Sequence, residues 1–447
     1  MINGKKFLRA SFVMTLALVV SSCGWFGGDE EEESTKKKVK GERISVLSFE
    51  RRLEADPRLV GQKIILPRPY ANLGWTQPGG FADNVAHHLA LGDNLRKLFS
   101  VSMVEGSSRD IKLTAPPLVV DNKVFALGAD LEVVAVNAQT GKRQWRTDLA
   151  PKKSEIEDGF GGGIAYADGQ IFAVTGFGEV MALDSETGEI VWRVQTPIPF
   201  RTAPTVSNGR IFAISHDNQL QVFSAVDGAR LWNQTAILEP ATIMSATSPA
   251  VAGDLVVAGF TSGEVLAMRT NNGLVNWSDS LTRTRQLTPL SDLAAVIGRP
   301  VIDRDRVFAV SHGGRMVSID LRSGERVWMS ELTSIETPWI AGDNIYVVTI
   351  DAELVCLSRN QGRVRWVKQL EKYEDGDFDE PISWSGPVLA SDRLILGNSL
   401  GQLLTLSPYT GELLSTIDVD DPVEVTPVVA NKTLYILTDD GRLIAYQ

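Results

Sequence analysis

This 447-residue chain has few cysteines and few histidines, and its net charge is not positive. Its two cysteines, Cys23 and Cys356, exclude a disulfide-rich scaffold and any zinc site built from four cysteines. The four histidines are too scattered along the chain to predict a metal centre. With 44 basic against 55 acidic side chains the formal charge is -11, which argues against nucleic-acid binding because that requires a basic surface.

The N-terminal apolar run is too short to span a membrane as a helix. It extends from Phe12 to Val20, about half of the ~20 residues that a spanning helix needs. A basic segment, residues 5–9, precedes it, and small residues follow it, an order typical of a cleaved secretory signal. Residues 1–22 are therefore predicted to be a signal peptide.

The segment Val20-Ser21-Ser22-Cys23 resembles a bacterial lipobox, in which an aliphatic residue and two small ones precede a cysteine that receives lipid. Two or more acyl chains on Cys23 would suffice for stable membrane anchoring. Gly24 stands where many inner-membrane lipoproteins carry aspartate, so the resemblance implies the periplasmic face of the outer membrane. The alternative is an ordinary secretory signal with an incidental cysteine.

Two segments precede the main body of the chain. Residues 23–45 join an acidic block to a basic one without apolar periodicity, which predicts a flexible tether that carries the lipid. Residues 46–91 form an N-terminal extension to which the sequence assigns no function. Within it, the pattern predicts a short helix over 48–59 and extended, proline-punctuated chain over 64–78.

From residue 92 onwards, the sequence repeats about every 44 residues. Each unit contains four short runs rich in β-branched residues, separated by Gly, Asn or Asp turns, which is the pattern of antiparallel hairpins. Six units place a tryptophan four residues after a turn glycine, and a seventh has Ser415 there: the tryptophans are Trp145, Trp192, Trp232, Trp277, Trp328 and Trp366. The repeat predicts an eight-bladed β-propeller of four-stranded antiparallel blades over residues 92–447.

The last unit begins at Thr426 and is one strand short. Residues 94–102 resemble an outer strand and place Phe99 near the tryptophan position, so we expect this N-terminal strand to complete the last blade and close the ring. A ligand-binding residue is not needed in six successive units, and the repeated tryptophans are therefore predicted to pack one blade against the next. Cys356 occupies a position that small residues hold in most other units, which predicts a buried packing residue.

The repeated Thr-Gly-x-x-x-Trp pattern resembles the propeller repeat of quinoproteins, the dehydrogenases that use pyrroloquinoline quinone (PQQ). Together with the lipobox and the eight units, it makes the chain resemble the BamB family, the propeller lipoproteins of the outer-membrane β-barrel assembly (BAM) complex. The resemblance implies a non-enzymatic scaffold without a cofactor, which binds the POTRA domains of BamA and assists the insertion of β-barrel proteins. Unfolded outer-membrane proteins are further candidate partners.

The resemblance also implies a partner site on two neighbouring inter-blade loops. One family loop carries a Leu-Ser-Asp run, which Leu290, Ser291 and Asp292 match. The other carries a Leu-x-Leu-Arg run, in which Ile243 replaces the second leucine and Met244 replaces the arginine. The second replacement leaves an apolar contact where the family has an ionic one. For Asp292, the alternative is a structural role as the cap of a short helical turn.

A quinone-dependent dehydrogenase and a scaffold of another envelope complex are the alternative functions, because a fold alone does not define a function. Such dehydrogenases generally use an active-site aspartate, acidic and amide ligands for Ca²⁺ and often a cysteine pair, and this chain has no cysteine pair. Residues 375–379 are acidic but lack the glycine and glutamate of a calcium loop, which favours a solvated loop. Gly161-Gly162-Gly163 precedes no helix pattern and is predicted to be a flexible turn.

Overall fold

The computed structural model describes residues 53–151, 159, 161–238, 247–282, 295–374 and 380–447. In this part of the chain, 32 strands form eight antiparallel sheets of four strands each, which are the blades of a β-propeller. Blades 1 to 4 consist of β2 (Leu118–Val120), β3 (Lys123–Leu127), β4 (Glu132–Asn137) and β5 (Arg143–Asp148); β6 (Gly162–Ala167), β7 (Gln170–Thr175), β8 (Glu179–Asp184) and β9 (Ile190–Gln195); β10 (Thr205–Ser207), β11 (Arg210–Ile214), β12 (Gln219–Ser224) and β13 (Arg230–Thr235); and β14 (Ala250–Ala252), β15 (Leu255–Gly259), β16 (Glu264–Arg269) and β17 (Val275–Ser280). Blades 5 to 7 consist of β18 (Val301–Asp303), β19 (Arg306–Val310), β20 (Met316–Asp320) and β21 (Arg326–Ser330); β22 (Trp339–Ala341), β23 (Asn344–Val348), β24 (Glu353–Ser358) and β25 (Val364–Gln369); and β26 (Trp384–Ala390), β27 (Arg393–Asn398), β28 (Gln402–Leu406) and β29 (Leu413–Asp418). Blade 8 consists of β30 (Val428–Ala430), β31 (Thr433–Leu437), β32 (Arg442–Tyr446) and β1 (Lys97–Ser102).

The predicted ring closure is confirmed. Strand β1 pairs antiparallel with β32, with Phe99 opposite Ala445 and Ser102 opposite Arg442. The first described strand of the chain is thus the outermost strand of the last blade. Blade 8 thus contains strands from both ends of the propeller sequence. The ring is therefore closed within a blade, and not by an interface between a first and a last blade.

The repeated tryptophans link consecutive blades, as predicted. Each lies on an outermost strand, and its indole N–H donates to a backbone carbonyl in the turn between the third and fourth strands of the next blade. The donor–acceptor pairs are Trp145 with Ser185, Trp192 with Ala225, Trp232 with Thr270, Trp277 with Leu321, Trp328 with Arg359, and Trp366 with Pro408. Ser415 lies on the outermost strand of blade 7, and in the next blade, blade 8, the third and fourth strands come from opposite ends of the propeller sequence and have no turn between them. The exception in the repeat therefore coincides with the one blade that cannot offer that partner.

Cys356 is fully buried on β24, opposite Trp366 of the neighbouring strand. The equivalent position in blade 1 is Ala135, opposite Trp145. A small side chain is required there because the large ring lies beside it. Burial raises the pKa of the Cys356 thiol well above its usual range. The prediction of a packing residue is confirmed.

The N-terminal extension reaches the propeller at the outer edge of blade 6 and then runs to the ring axis. The Asp56 amide donates to the Val364 carbonyl at 2.8 Å, and the Asn344 side chain donates to the Ile65 carbonyl at 3.3 Å. In the described part of the predicted helix over 48–59, only the 3-10 turn Pro57–Leu59 is present. Pro57 has no N–H with which to continue a helix from the residues before it.

Residues 70–91, which we call the plug, lie in the central channel of the ring. Their backbone and side-chain hydrogen bonds reach the innermost strand of every blade, at Val119, Tyr166, Val206, Val251, Ile302, Trp339, Leu389 and Val429. Most of these residues stand just before the turn between the first and second strands. The plug therefore closes the channel at one end and bonds to inner strand edges that no other strand of the described residues covers.

The prediction of a flexible turn at Gly161-Gly162-Gly163 is wrong. Gly162 and Gly163 begin β6, the innermost strand of blade 2, and both are buried. A Cβ atom on Gly163 would lie 2.4 Å from the Cβ of Ala203, just before blade 3. Glycine is present because the neighbouring backbone approaches too closely for a side chain.

Candidate partner-binding face

The two ends of the ring differ in the connections that they carry. Because every blade is antiparallel, the connections from the fourth strand of one blade to the first strand of the next emerge at one end, which we call the loop face. The turns between the first and second strands emerge at the opposite end, the turn face. The plug closes the turn face, so the loop face carries the open mouth of the channel.

The predicted partner residues fall on segments that the structure does not describe. Ile243 and Met244 lie outside the described residues, and so do Leu290, Ser291 and Asp292. Cys23, the predicted lipidation site, and the acidic residues 375–379 lie outside them as well. The structure does describe the stems of both predicted partner loops. One loop enters blade 4 before β14 and the other leaves blade 4 after β17, both at the loop face.

The stem of the first loop is tied to the blades on both sides of it. The backbone N–H of Ala236 donates to the backbone carbonyl of Asn218 at 3.0 Å, and the side-chain amide of Asn218 donates to the Ile237 carbonyl at 2.9 Å. Asn218 also accepts the Thr261 hydroxyl of blade 4 at 2.8 Å. Asn218, in blade 3, thus fixes the direction in which the loop leaves the ring.

Two exposed apolar side chains follow this anchored stem. Ile237 is 60% exposed and Leu238 is 64% exposed. The Ile237 amide donates to the Glu264 carboxylate at 2.7 Å, which holds this backbone against blade 4. Two neighbouring apolar side chains are therefore exposed at the loop face, next to the segment that contains Ile243.

The stem of the second loop is equally well defined. At its start, the Leu281 amide donates to the Gly263 carbonyl at 2.8 Å. At its end, the Val296 amide donates to the Phe260 carbonyl at 3.1 Å, and the Val296 side chain is fully buried. A Cβ atom on Gly259 would lie 2.5 Å from the Val296 side chain, so glycine makes room for it. Blade 4 therefore anchors both predicted partner loops.

The mouth of the channel forms a small pit of about 90 Å³ at the loop face. Its lining includes Arg299, which precedes β18, and Glu336, which precedes β22. Although Glu336 as a residue is only partly buried, its carboxyl group lies deep among protein atoms, and this desolvation raises its pKa to about 7. Hydrogen bonding from Gly386 and the charge of Arg299 oppose that rise. Burial lowers the pKa of Arg299 to about 10.

The two cavities that the described residues form beside Arg299 and Glu336 are too small for the tricyclic quinone of the dehydrogenases. A site for a molecule of that size has a volume of about 300 Å³ or more. These two cavities have volumes of about 90 Å³ and about 20 Å³, and plug residues line the smaller one.

The described ranges contain neither a metal cluster nor a membrane-spanning helix. In these ranges, no three His, Cys, Asp or Glu side chains lie close enough to hold a metal ion together. No helix in the same ranges is both long and apolar enough to cross a membrane.

Comparisons with known proteins place the chain among assembly factors in sequence and among propellers in structure. The profile of a family described as "Outer membrane protein assembly factor BamB" matches residues 129–368 and 371–447, well over half of the chain. A protein of that name from Yersinia pestis is 24% identical over 355 residues, covering 78% of this chain and 88% of the relative. Its counterpart from Salmonella typhimurium is 28% identical over 333 residues, covering 74% and 83%.

Solved structures share the fold. The crystal structure of BamB from Moraxella catarrhalis superposes with a TM-score of 0.65 at 18% identity, covering 79% of this chain and 100% of that one. A quinohemoprotein alcohol dehydrogenase from Comamonas testosteroni superposes with a TM-score of 0.64 at 12% identity, covering 83% and 80%. At such identities these likenesses show the propeller fold alone.

Proposed function

The chain belongs to the family of the outer membrane protein assembly factor BamB, and from this premise we propose that it is a non-enzymatic scaffold subunit of the BAM complex. In this proposal, it binds POTRA domains of BamA and assists the insertion of β-barrel proteins into the outer membrane. Lipid on Cys23 anchors it at the periplasmic face of that membrane. The family match, which extends from blade 1 to blade 8, is the observation that carries the proposal.

The loop face on either side of blade 4 is the proposed contact surface. Support comes from the two anchored loop stems and from the exposed side chains of Ile237 and Leu238. In the proposal, Ile243 and Met244 extend this apolar surface, while Leu290, Ser291 and Asp292 form the second half of the contact. A central apolar contact with a charged group at its side is the usual composition of a protein interface.

A dehydrogenase activity has less physical support. The dehydrogenases share the ring of blades, but function depends on the residues at a site rather than on the fold. Among the described residues, the plug occupies the axis of the ring, and the two cavities beside Arg299 and Glu336 are too small for the quinone. Its amide side chains Asn72, Gln77 and Asn84 hydrogen-bond to the inner strands, so the plug is an integral part of the folded channel.

Purification of the full-length protein from native membranes tests the proposal. We expect BamA to copurify with it in a mild detergent and to form crosslinks to the loop face. A parallel assay for dye reduction with added PQQ and Ca²⁺ should give no activity above background. Absence of BamA together with copurification of a different envelope complex would assign the chain to that complex, and quinone-dependent turnover would assign it to the dehydrogenases.

A further inference from the structure

A small cavity of about 20 Å³ separates the plug from the wall of the channel. The plug contributes Trp75 and Asn84 to its lining, and the wall contributes Arg299 and Glu336. Trp75 is 2% exposed, Asn84 is 5% exposed and Arg299 is 8% exposed. The polar groups of these side chains are therefore withdrawn from bulk water.

Among the residues that line this cavity, three polar atoms have no hydrogen-bond partner in the described part of the chain: Trp75 Nε1, Asn84 Oδ1 and Arg299 Nε. The orientation of the Asn84 amide is fixed, because its nitrogen donates to the carbonyls of Pro300 at 2.9 Å and Ser248 at 3.4 Å. Its oxygen is therefore the atom left without a donor. Buried polar atoms that lack a partner are rare in folded proteins, and a bound water commonly satisfies them.

Trp75 is also unlike the other tryptophans of the described chain. The eight others donate their indole N–H to a backbone carbonyl: Trp145, Trp192, Trp232, Trp277, Trp328, Trp339, Trp366 and Trp384. Trp75 instead packs its ring on Gly80 and stacks with Trp339 at 6.4 Å between ring centroids. These contacts hold the ring in place without providing an acceptor for its N–H.

We propose that this cavity binds one structural water, which joins the plug to the segments that precede blades 5 and 6. The indole N–H of Trp75 and the Nε–H of Arg299 donate to the water oxygen, and the water donates to Asn84 Oδ1 and to the Glu336 carboxyl group. Water has two acceptor and two donor positions, which matches this set of groups. A cavity of about 10–15 Å³ suffices for one water molecule.

Other small occupants match the lining less well. An anion would face the Asn84 oxygen and the Glu336 carboxylate, and a cation would face the Arg299 guanidinium and the indole N–H. A neutral molecule larger than water exceeds the volume. The water thus helps to hold the plug against the wall of the channel. It connects Trp75 and Asn84 to Arg299, which lies more than two hundred positions later in the sequence.

A high-resolution crystal structure of the mature chain tests the site directly. We expect one water peak within hydrogen-bond distance of both Trp75 Nε1 and Arg299 Nε. An anomalous peak in crystals soaked with bromide would identify an anion and overturn the proposal. A protein carbonyl bonded to the Trp75 indole would overturn it as well.

NMR of the mature chain labelled with ¹⁵N-tryptophan tests the site in solution. Trp75→Phe identifies the indole resonance of Trp75, and Trp366→Phe identifies a control whose N–H donates to the Pro408 carbonyl. The Trp75 resonance should show a nuclear Overhauser effect to a long-lived water, and the Trp366 resonance should show none. If neither resonance or both show it, the proposal fails. If Trp75→Phe does not fold, the wild-type crystal structure still decides.

Discussion

A Cβ atom placed on Gly188 would lie 2.5 Å from the indole ring of Trp145 in the preceding blade, closer than side-chain carbons approach one another in proteins. The same relationship recurs around the ring, in the pairs Gly141 with Phe99, Gly228 with Trp192, Gly273 with Trp232, Gly324 with Trp277, Gly362 with Trp328, and Gly411 with Trp366. The repeated Thr-Gly-x-x-x-Trp pattern therefore contains both halves of one interface. The glycine receives a ring from the blade before it, and the tryptophan supplies a ring to the blade after it.

We expect Gly188→Ala to destabilise the propeller more than Gly169→Ala. Both glycines have a left-handed φ, +77° and +81°, but a Cβ on Gly169 meets no atom within 4 Å. The control therefore reports the backbone strain, and the excess loss, about 1–3 kcal/mol, reports the collision with Trp145. Chemical denaturation measures both. Equal losses would show that the tight contact with Trp145 is not required.

We expect removal of the first strand and the plug to act in two separable steps. A chain that begins at residue 93 loses the plug but keeps β1, and a chain that begins at residue 111 loses both. The second chain should melt at the lowest temperature and aggregate, because β32 becomes an exposed edge and an apolar blade face opens. Thermal unfolding of the three chains measures this order. A chain from residue 111 that melts like the mature protein would refute ring closure by β1.

We expect Asp292→Arg to weaken binding to isolated BamA POTRA domains about thirtyfold, since a central interface contact can contribute ~2 kcal/mol or more. The melting temperature should change little. Glu189→Arg, an equal change of charge at an exposed residue of the turn face, is the control and should leave the affinity unchanged. Calorimetric titration gives both affinities. Loss of stability with unchanged affinity would instead make Asp292 a structural cap.

We expect Cys23→Ala to release the folded protein from the membrane, because the lipid that anchors it has no other proposed attachment point. Cys356→Ala is the control, since alanine occupies the equivalent positions Ala135 and Ala182 opposite a tryptophan. Partitioning between a detergent phase and an aqueous phase measures the change. Equal partitioning of Cys23→Ala and the wild type would remove the basis for lipidation.

We expect Glu336→Gln to change how stability depends on pH. Because the folded protein raises the pKa of Glu336 from 4.5 to about 7, it binds this proton more tightly than the unfolded chain. The group's contribution to stability is complete below about pH 4.5 and is lost as the pH rises to about 7, by at most about 3 kcal/mol.

The glutamine variant should therefore gain stability relative to the wild type across that window. Unfolding free energies at several pH values measure the difference. Glu189→Gln, an exposed matched change, should show no such trend. A constant difference between Glu336→Gln and the wild type would show that this carboxyl group does not titrate there.

The ring was predictable from the sequence because each blade repeats the same pattern of four short strands and turns. Phe99 and Trp145 share one position in the repeat, and the strand count placed the closing strand correctly. The plug has no such signal, since its partners are set by distant contacts such as that between Asn72 and Val429. The prediction of a flexible turn at Gly163 is wrong for a related reason. The residue that lies too close for a side chain there, Ala203, is distant in the sequence and stands just before blade 3.

The candidate site was less predictable than the ring. The loops that hold Ile243 and Asp292 do not repeat the sequence of the other inter-blade connections. Their assignment rests on a family resemblance, whereas the stems could be placed because they continue repeated strands. The exposed pair Ile237 and Leu238 was missed, although two apolar residues after the outermost strand are a recognisable sequence signal.

The course of the N-terminal extension also defines a load path. A pull on the N-terminal end first acts where the Asp56 amide bonds to the Val364 carbonyl and where Asp56 pairs with Arg363, at the edge of blade 6. The bond between Asn344 and Ile65 bears the tension next, and then the plug, which is bonded to all eight blades. Only after the plug is withdrawn does tension reach β1. The contacts of the extension and the plug would therefore have to break before a force applied at the N-terminal end reaches the strand that closes the ring.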